Sequence, residues 1–130
     1  MPVVWDASSV VALLMDSKND GPAAAERHVL DKMAAPSLIR FEVANAIRRL
    51  HRSGVVSADQ ADQAHADLVD LSIEEWPYEL LAGRAWELRH NLSIYDASYV
   101  ALAELIDCPL VTLDKRIAKA PGVRCVITTP

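Results

Sequence analysis

The chain has 130 residues, 52% hydrophobic and 24% charged, enough for one domain that buries roughly two-thirds of its unfolded surface without disulfide or metal staples. That balance excludes a disordered or fibrous chain, and a formal net charge of −5 argues against a protein that coats nucleic acid through bulk electrostatics. It leaves room for an enzyme that grips phosphates through a metal ion and a few local cations.

In chain order, Pro2 to Asp6 reads as a short buried strand, and Ser8 to Met15 as a helix capped by Ser8 or Ser9. "SKNDG" is a turn, and a second helix is expected over Ala23 to Lys32. "AAPS" then leads into a long helix, "LIRFEVANAIRRLHRSG", ending at Gly54 with basic residues in its last turn. "SADQADQAHADLVDL" is a serine-capped helix, "SIEEWP" a short strand and "LLAGRAWELRHN" a helix. "YDASYVALAELID" is a helix stopped before Pro109, "PLVTLD" an apolar strand, "KRIAKA" a brief helical turn and "RCVIT" a last strand. Alternating strands and helices predict an α/β fold with a central, mostly parallel sheet flanked by helices. No repeat or Gly/Ser linker interrupts it, so residues 1–130 are expected to form a single domain.

The first basic residue is Lys18, so the start of the chain lacks the positive n-region of a signal peptide. The longest apolar run, Val10 to Met15, is far short of the ~20 residues that span a bilayer. Cys108 and Cys125 lack CxxC spacing and read as small buried residues in a reducing compartment. A cytoplasmic protein is expected.

Four acids stand where a solvated face is not the simplest reading. Asp6 and Asp114 end strands, where functional groups of parallel sheets gather. Glu42 lies on a helix whose Phe41, Val43 and Ile47 make much of the surface apolar, and Asp96 opens the apolar "ASYVALA" helix. Asp59, Asp62, Asp67 and Asp70 decorate a polar helix and read as solvent contacts. Each of the four has a plain alternative: Asp6, Asp96 and Asp114 as helix caps, and Glu42 paired with Arg48 or Arg49. Asp6 has no evident partner in sequence. Converging carboxylates repel by about 4 kcal/mol per pair at 4 Å and an effective dielectric near 20, so a cluster needs protons or a cation. Oxygen-only ligands favour Mg²⁺ or Mn²⁺ over zinc, and the histidines (His28, His51, His65, His90) show no metal-ligand spacing.

In order, "VVWDASSV", "FEVANAIRR", "IYDASYVALA" and "LVTLDKRI" resemble the PIN-domain ribonucleases, in particular the VapC-like toxins of toxin–antitoxin pairs, over essentially the whole chain. The resemblance implies that Asp6, Glu42, Asp96 and Asp114 form an acidic catalytic centre, with Asp6, Asp96 and Asp114 holding Mg²⁺, for which Mn²⁺ substitutes. It gives Ser8, Asn45 and Thr112 supporting places, and strand alternation turns Trp5 away from Asp6. A Mg²⁺ ion there acidifies a water and polarises a phosphodiester, with Asp96 or Asp114 taking the proton and a 5′-phosphate and 3′-hydroxyl as products. Arg49, Lys115 and Arg116, with Arg48, Arg52 and Lys119 nearby, are candidate phosphate contacts. The implied function is a metal-dependent endoribonuclease toxin acting on transfer or ribosomal RNA, homodimeric and neutralised by a small VapB-like antitoxin. Competing readings are an aspartyl-phosphate phosphatase using Asp6, a non-catalytic RNA-binding module with an acidic pocket, and a DNA-cleaving nuclease.

Overall fold

The structure, a computed structural model, describes residues 2–15 and 32–130. Five strands form one sheet: β1 (Pro2–Trp5), β2 (Lys32–Pro36), β3 (Ile73–Trp76), β4 (Leu110–Val111) and β5 (Ile127–Thr128). Their order is β3-β2-β1-β4-β5 and every pairing is parallel. Around the sheet lie α1 over residues 7–15, α2 (Ile39–Arg52), α3 (Ala58–Asp70), α4 (Ala82–Glu87), α5 (Ile94–Leu105) and α6 (Lys115–Lys119). This is the parallel α/β architecture that the alternation of elements predicts.

Strand β1 is the centre of the sheet. The chain builds outward from it to β2 and β3 on one side, then returns to lay β4 and β5 on the other. The connections therefore diverge beyond the carboxyl ends of β1 and β4, the position at which parallel sheets open a crevice. Val4 and Leu110, paired across those strands by register with β1, are fully buried, as expected of a sheet covered on both faces.

Strand β2 departs from expectation. The sequence reading runs a helix up to Lys32 and treats "AAPS" as a lead-in, yet Lys32–Pro36 pairs with both β1 and β3. Alanine and methionine carry little strand propensity; two-sided burial of Met33, Ala34 and Ala35 decides instead. Pro36 ends the strand, since it has no N–H to give to the ladder. The "SKNDG" turn and the rest of the helix expected from Ala23 lie outside the described residues.

Helix α2 buries Ile39, Val43 and Ile47 at i, i+4 and i+8, and Gly54 follows it in the left-handed region at φ 81°, a conformation glycine adopts without Cβ strain. Phe41, which the sequence reading groups with Val43 and Ile47, stands off that stripe and is 80% exposed. A full capping box at Ser57 and Gln60 starts α3, and the Arg40 guanidinium donates to the Leu68 and Leu71 carbonyls at its end. The helix expected over 80–91 is shorter in the structure: a 3₁₀ turn, Tyr78–Leu80, precedes α4, and residues 88–91 are turns. Helix α5 is the core helix, buried without a break from Ala97 to Ala103, its small alanines letting it lie close against the sheet.

Candidate active site

Asp6 follows directly on β1 and is only 4% exposed. It caps α1 itself. Its carbonyl accepts from the Val10 N–H at 3.1 Å, and its Oδ1 accepts from the Ser9 N–H at 3.0 Å. Neither Ser8 nor Ser9 is the cap that the sequence suggested. The Ser8 hydroxyl donates to Asp6 Oδ1 at 2.7 Å and accepts from the Leu113 N–H at 3.2 Å, while Ser9 donates to the Val111 carbonyl at 2.9 Å. The partner that sequence reasoning could not find for Asp6 is thus a set of hydroxyls and a helix N-terminus.

Thr112, just past β4 and 2% exposed, ties the two strand-end acids together. Its hydroxyl donates to Asp6 Oδ2 and accepts from the Asp114 N–H at 2.9 Å. Replacing Thr112 by valine keeps the shape but strips both partners of a buried hydrogen bond. The expected cost is about 1–3 kcal/mol, read as a fall of roughly 3–10 °C in the thermal midpoint. An unchanged midpoint would mean that the bridge is not structural.

Asp114 is the cap of α6, accepting from the Arg116 N–H at 2.9 Å, and its carboxylate also receives Arg116 Nε at 3.1 Å and Nη2 at 2.7 Å. The guanidinium holds its carboxyl below the usual carboxylate range. Arg116 itself is largely exposed and engaged with Asp114.

The other two acids come from helices. Asp96 is not the cap of α5; Ser93 is, accepting from the Asp96 N–H at 3.1 Å, and this leaves the half-buried Asp96 carboxyl one turn inside the helix. Burial pushes its acidity down, Ser93 and Arg116 oppose this, and the negative Asp114 and Asp6 add to it, for a net rise in pKa. Glu42, on α2, pairs with neither Arg48 nor Arg49. Its Oε1 accepts from the Tyr99 hydroxyl at 2.7 Å. Its pKa is raised, first by burial and then by Asp96 and Asp6, with Tyr99 and Arg49 pulling the other way.

Tyr99 is the site residue that sequence reasoning missed. It lies three positions after Asp96, hence on the same face of α5, and is 1% exposed. The phenol in "SYVALA" was the available signal, since a buried phenol requires an acceptor. The Asn45 side chain is exposed and accepts from Arg48 at 3.4 Å, while Lys115 and Arg49 are exposed. Trp5 is buried in the core.

The four predicted acids therefore share one electrostatic neighbourhood at the crevice between β1 and β4: Glu42 feels Asp6 and Asp96, and Asp96 feels Asp6 and Asp114. Among the described residues no three His, Cys, Asp or Glu side chains close into a ready cage for a metal ion. The donors are all oxygens, and two of them are carboxylates whose charge is disfavoured by burial and by each other. That chemistry fits a hard divalent cation and does not fit zinc.

A PIN domain profile matches residues 3–123, and the chain belongs to the PIN-domain family. Its VapC-like character is carried by sequence: it is 40% identical over 126 residues to Ribonuclease VapC9 of Mycobacterium tuberculosis, covering 97% of this chain and 96% of that protein. Among solved structures it is similar to PAE2754 from Pyrobaculum aerophilum, at a TM-score of 0.70 and 26% identity over 98% of this chain and 83% of that one. VapBC2 from Rickettsia felis, bound to a DNA fragment from their promoter, shares the fold at a TM-score of 0.63 and 13% identity, over 99% and 98% of the two chains.

Proposed function

We propose that this protein is an endoribonuclease, the toxin of a toxin–antitoxin pair, which hydrolyses RNA phosphodiester bonds at the acidic centre of Asp6, Glu42, Asp96 and Asp114. The observation that carries the reading is the gathering of four oxygen-donor side chains at the sheet's switch point, two of them with raised pKa values. The likeness to VapC ribonucleases supports it.

Asp6, Asp96 and Asp114 would hold Mg²⁺, or Mn²⁺ in its place. A divalent cation there would supply charge stabilisation at the scissile phosphate and a more acidic water. The chain's own residues do the rest. Thr112, Ser8 and the start of α1 lock the Asp6 carboxylate in one orientation, so no reorganisation is needed when substrate arrives. Asp96, half-buried and raised in pKa, is better suited to take a proton from the attacking water than Asp114, whose pKa Arg116 depresses. Water adds to phosphorus, the bond from phosphorus to the 3′-oxygen breaks, and the leaving oxygen takes up a proton to give a 3′-hydroxyl and a 5′-phosphate. Arg116, whose side chain is 83% exposed although paired with Asp114, is placed to join Lys115 and Arg49 as a phosphate contact. The protein works in the cytoplasm as a single PIN domain per chain and as a homodimer, restrained by a small VapB-like antitoxin.

Purified protein incubated with total RNA is expected to cut it with Mg²⁺ or Mn²⁺ and to stop when EDTA is added. The new ends should be substrates for a 5′-phosphate-dependent exonuclease. Cleavage that survives EDTA, or leaves 2′,3′-cyclic phosphates, would contradict the mechanism.

A further inference from the structure

The Tyr99 ring is a fixed part of the core. It is buried on α5, within the unbroken buried run from Ala97 to Ala103. Its hydroxyl donates to Glu42 Oε1 at 2.7 Å, so a side chain locked by packing holds one on α2 that would otherwise turn freely. A glutamate loses considerable rotamer freedom when it is fixed, and here the anchor is set when the core folds. The bond also has a direction. Burial and then the Glu42 charge push the Tyr99 phenol far above its ordinary range, and Asp6 and Asp96 press the same way. The phenol therefore keeps its proton, stands in the field of three of the four acids, and has a single hydrogen to give.

Glu42 Oε1 takes that hydrogen, while Oε2 has no hydrogen-bond partner among the described residues. Glu42 also lines the open groove formed by residues of α1 and α2, so its carboxylate is held by a core residue at one oxygen and is reachable from solvent. A phenol that served the fold alone has a simpler arrangement open to it. Most side-chain hydrogen bonds go to backbone or water, as Ser9 donates to the Val111 carbonyl and Ser98 to the Ile94 carbonyl. Tyr99 gives its proton instead to a carboxylate whose charge is disfavoured by burial and by two neighbouring acids. Resting on the nuclease reading above, we propose that Tyr99 is a positioning residue for the cleavage reaction. It pins Glu42 Oε1, so that Oε2 accepts from the attacking water in one orientation while Asp96 takes the proton. The carboxylate then needs no reorganisation at the reacting centre.

The test measures single-turnover cleavage of RNA at saturating Mn²⁺ by full-length wild type, Tyr99→Phe, Glu42→Ala and the double variant. Mn²⁺ affinity is followed separately by calorimetry. Phenylalanine keeps the ring in the core and removes only the donor. Tyr99→Phe should cut roughly ten-fold more slowly, the loss expected for one hydrogen bond to a charged group, with the half-saturating RNA concentration and the Mn²⁺ affinity changed less than about two-fold. The double variant should be no slower than Glu42→Ala alone, because without the carboxylate the donor has nothing to position. A lowered thermal midpoint with an unchanged rate in the folded protein would make Tyr99 a structural residue and overturn the proposal. So would a Tyr99→Phe loss that multiplies with the Glu42→Ala loss, or one that falls on Mn²⁺ affinity instead of rate. A wild type that cuts no RNA would remove the nuclease reading and this role together. A wild type that cuts, beside a Tyr99→Phe that cuts as fast, would remove the role alone, so the two failures are distinguishable.

Discussion

Asp6→Asn is expected to abolish RNA cleavage while leaving the fold intact. Asparagine fits the existing network: its oxygen can keep the Ser8 and Ser9 donors, and its amide can donate to the Thr112 hydroxyl, which already accepts from Asp114. What disappears is one negative charge at the centre of the acidic set. Loss of a preorganised electrostatic group at a reacting centre costs about 10²–10³-fold in rate, and the loss here should be at least that large. Asp6→Ala is the informative contrast. It removes the cap of α1 and strands the Thr112 hydroxyl and the Ser9 N–H in a buried setting, at a combined cost of about 2–4 kcal/mol. Circular dichroism and a single-turnover cleavage assay on the two variants separate charge from architecture. Asparagine at wild-type rate would remove Asp6 from the site.

The second large effect has the opposite sign for stability. Glu42 carries a raised pKa, chiefly from burial and then from Asp96 and Asp6. Its folded state therefore holds a proton more tightly than the unfolded chain does. The stability this lends is fully present below the unfolded pKa and is lost as pH rises through the folded one. At neutral pH without metal, the ionised Glu42 opposes folding. Glu42→Gln keeps an oxygen for the Tyr99 hydroxyl and drops the charge, so the metal-free thermal midpoint at pH 7 should rise. At pH 4 the gain should vanish. Asp96→Asn should behave alike. Asp114→Asn should do the reverse, because a lowered pKa gives stability present above the unfolded value and lost as pH falls through the folded one. Cleavage should fall in all three, the trade between stability and activity expected where like charges are forced together. A lower midpoint for Glu42→Gln at pH 7 would mean that Glu42 is a structural residue.

The parallel sheet was legible because strand and helix periods alternate along the chain, and the positions of Asp6 and Asp114 followed from where strands end. Less was legible wherever a tertiary partner decides. Strand β2 reads as a lead-in because "KMAAP" lacks strand formers, and only burial on both faces makes it a strand. Phe41 looks like core because it neighbours Val43, but two helical positions amount to about 200° of rotation, which carries it to the open face. Asp6 seemed to face a choice between helix cap and chemical group. The structure makes it the cap, and that role is what holds the carboxylate still. Tyr99 and the Thr112 bridge depend on contacts between residues far apart in sequence, 57 and 106 positions respectively, which no local pattern can display.

The central claim is that these carboxylates are a divalent-cation centre. Calorimetric titration of Mn²⁺ into the wild-type protein, Asp6→Asn and Asp96→Asn tests it most directly, without reference to any RNA. Wild type should bind Mn²⁺ with saturable heat, and both variants should bind at least ten-fold more weakly at unchanged circular dichroism. Equal affinity in all three proteins, or no saturable binding in the wild type, would contradict it.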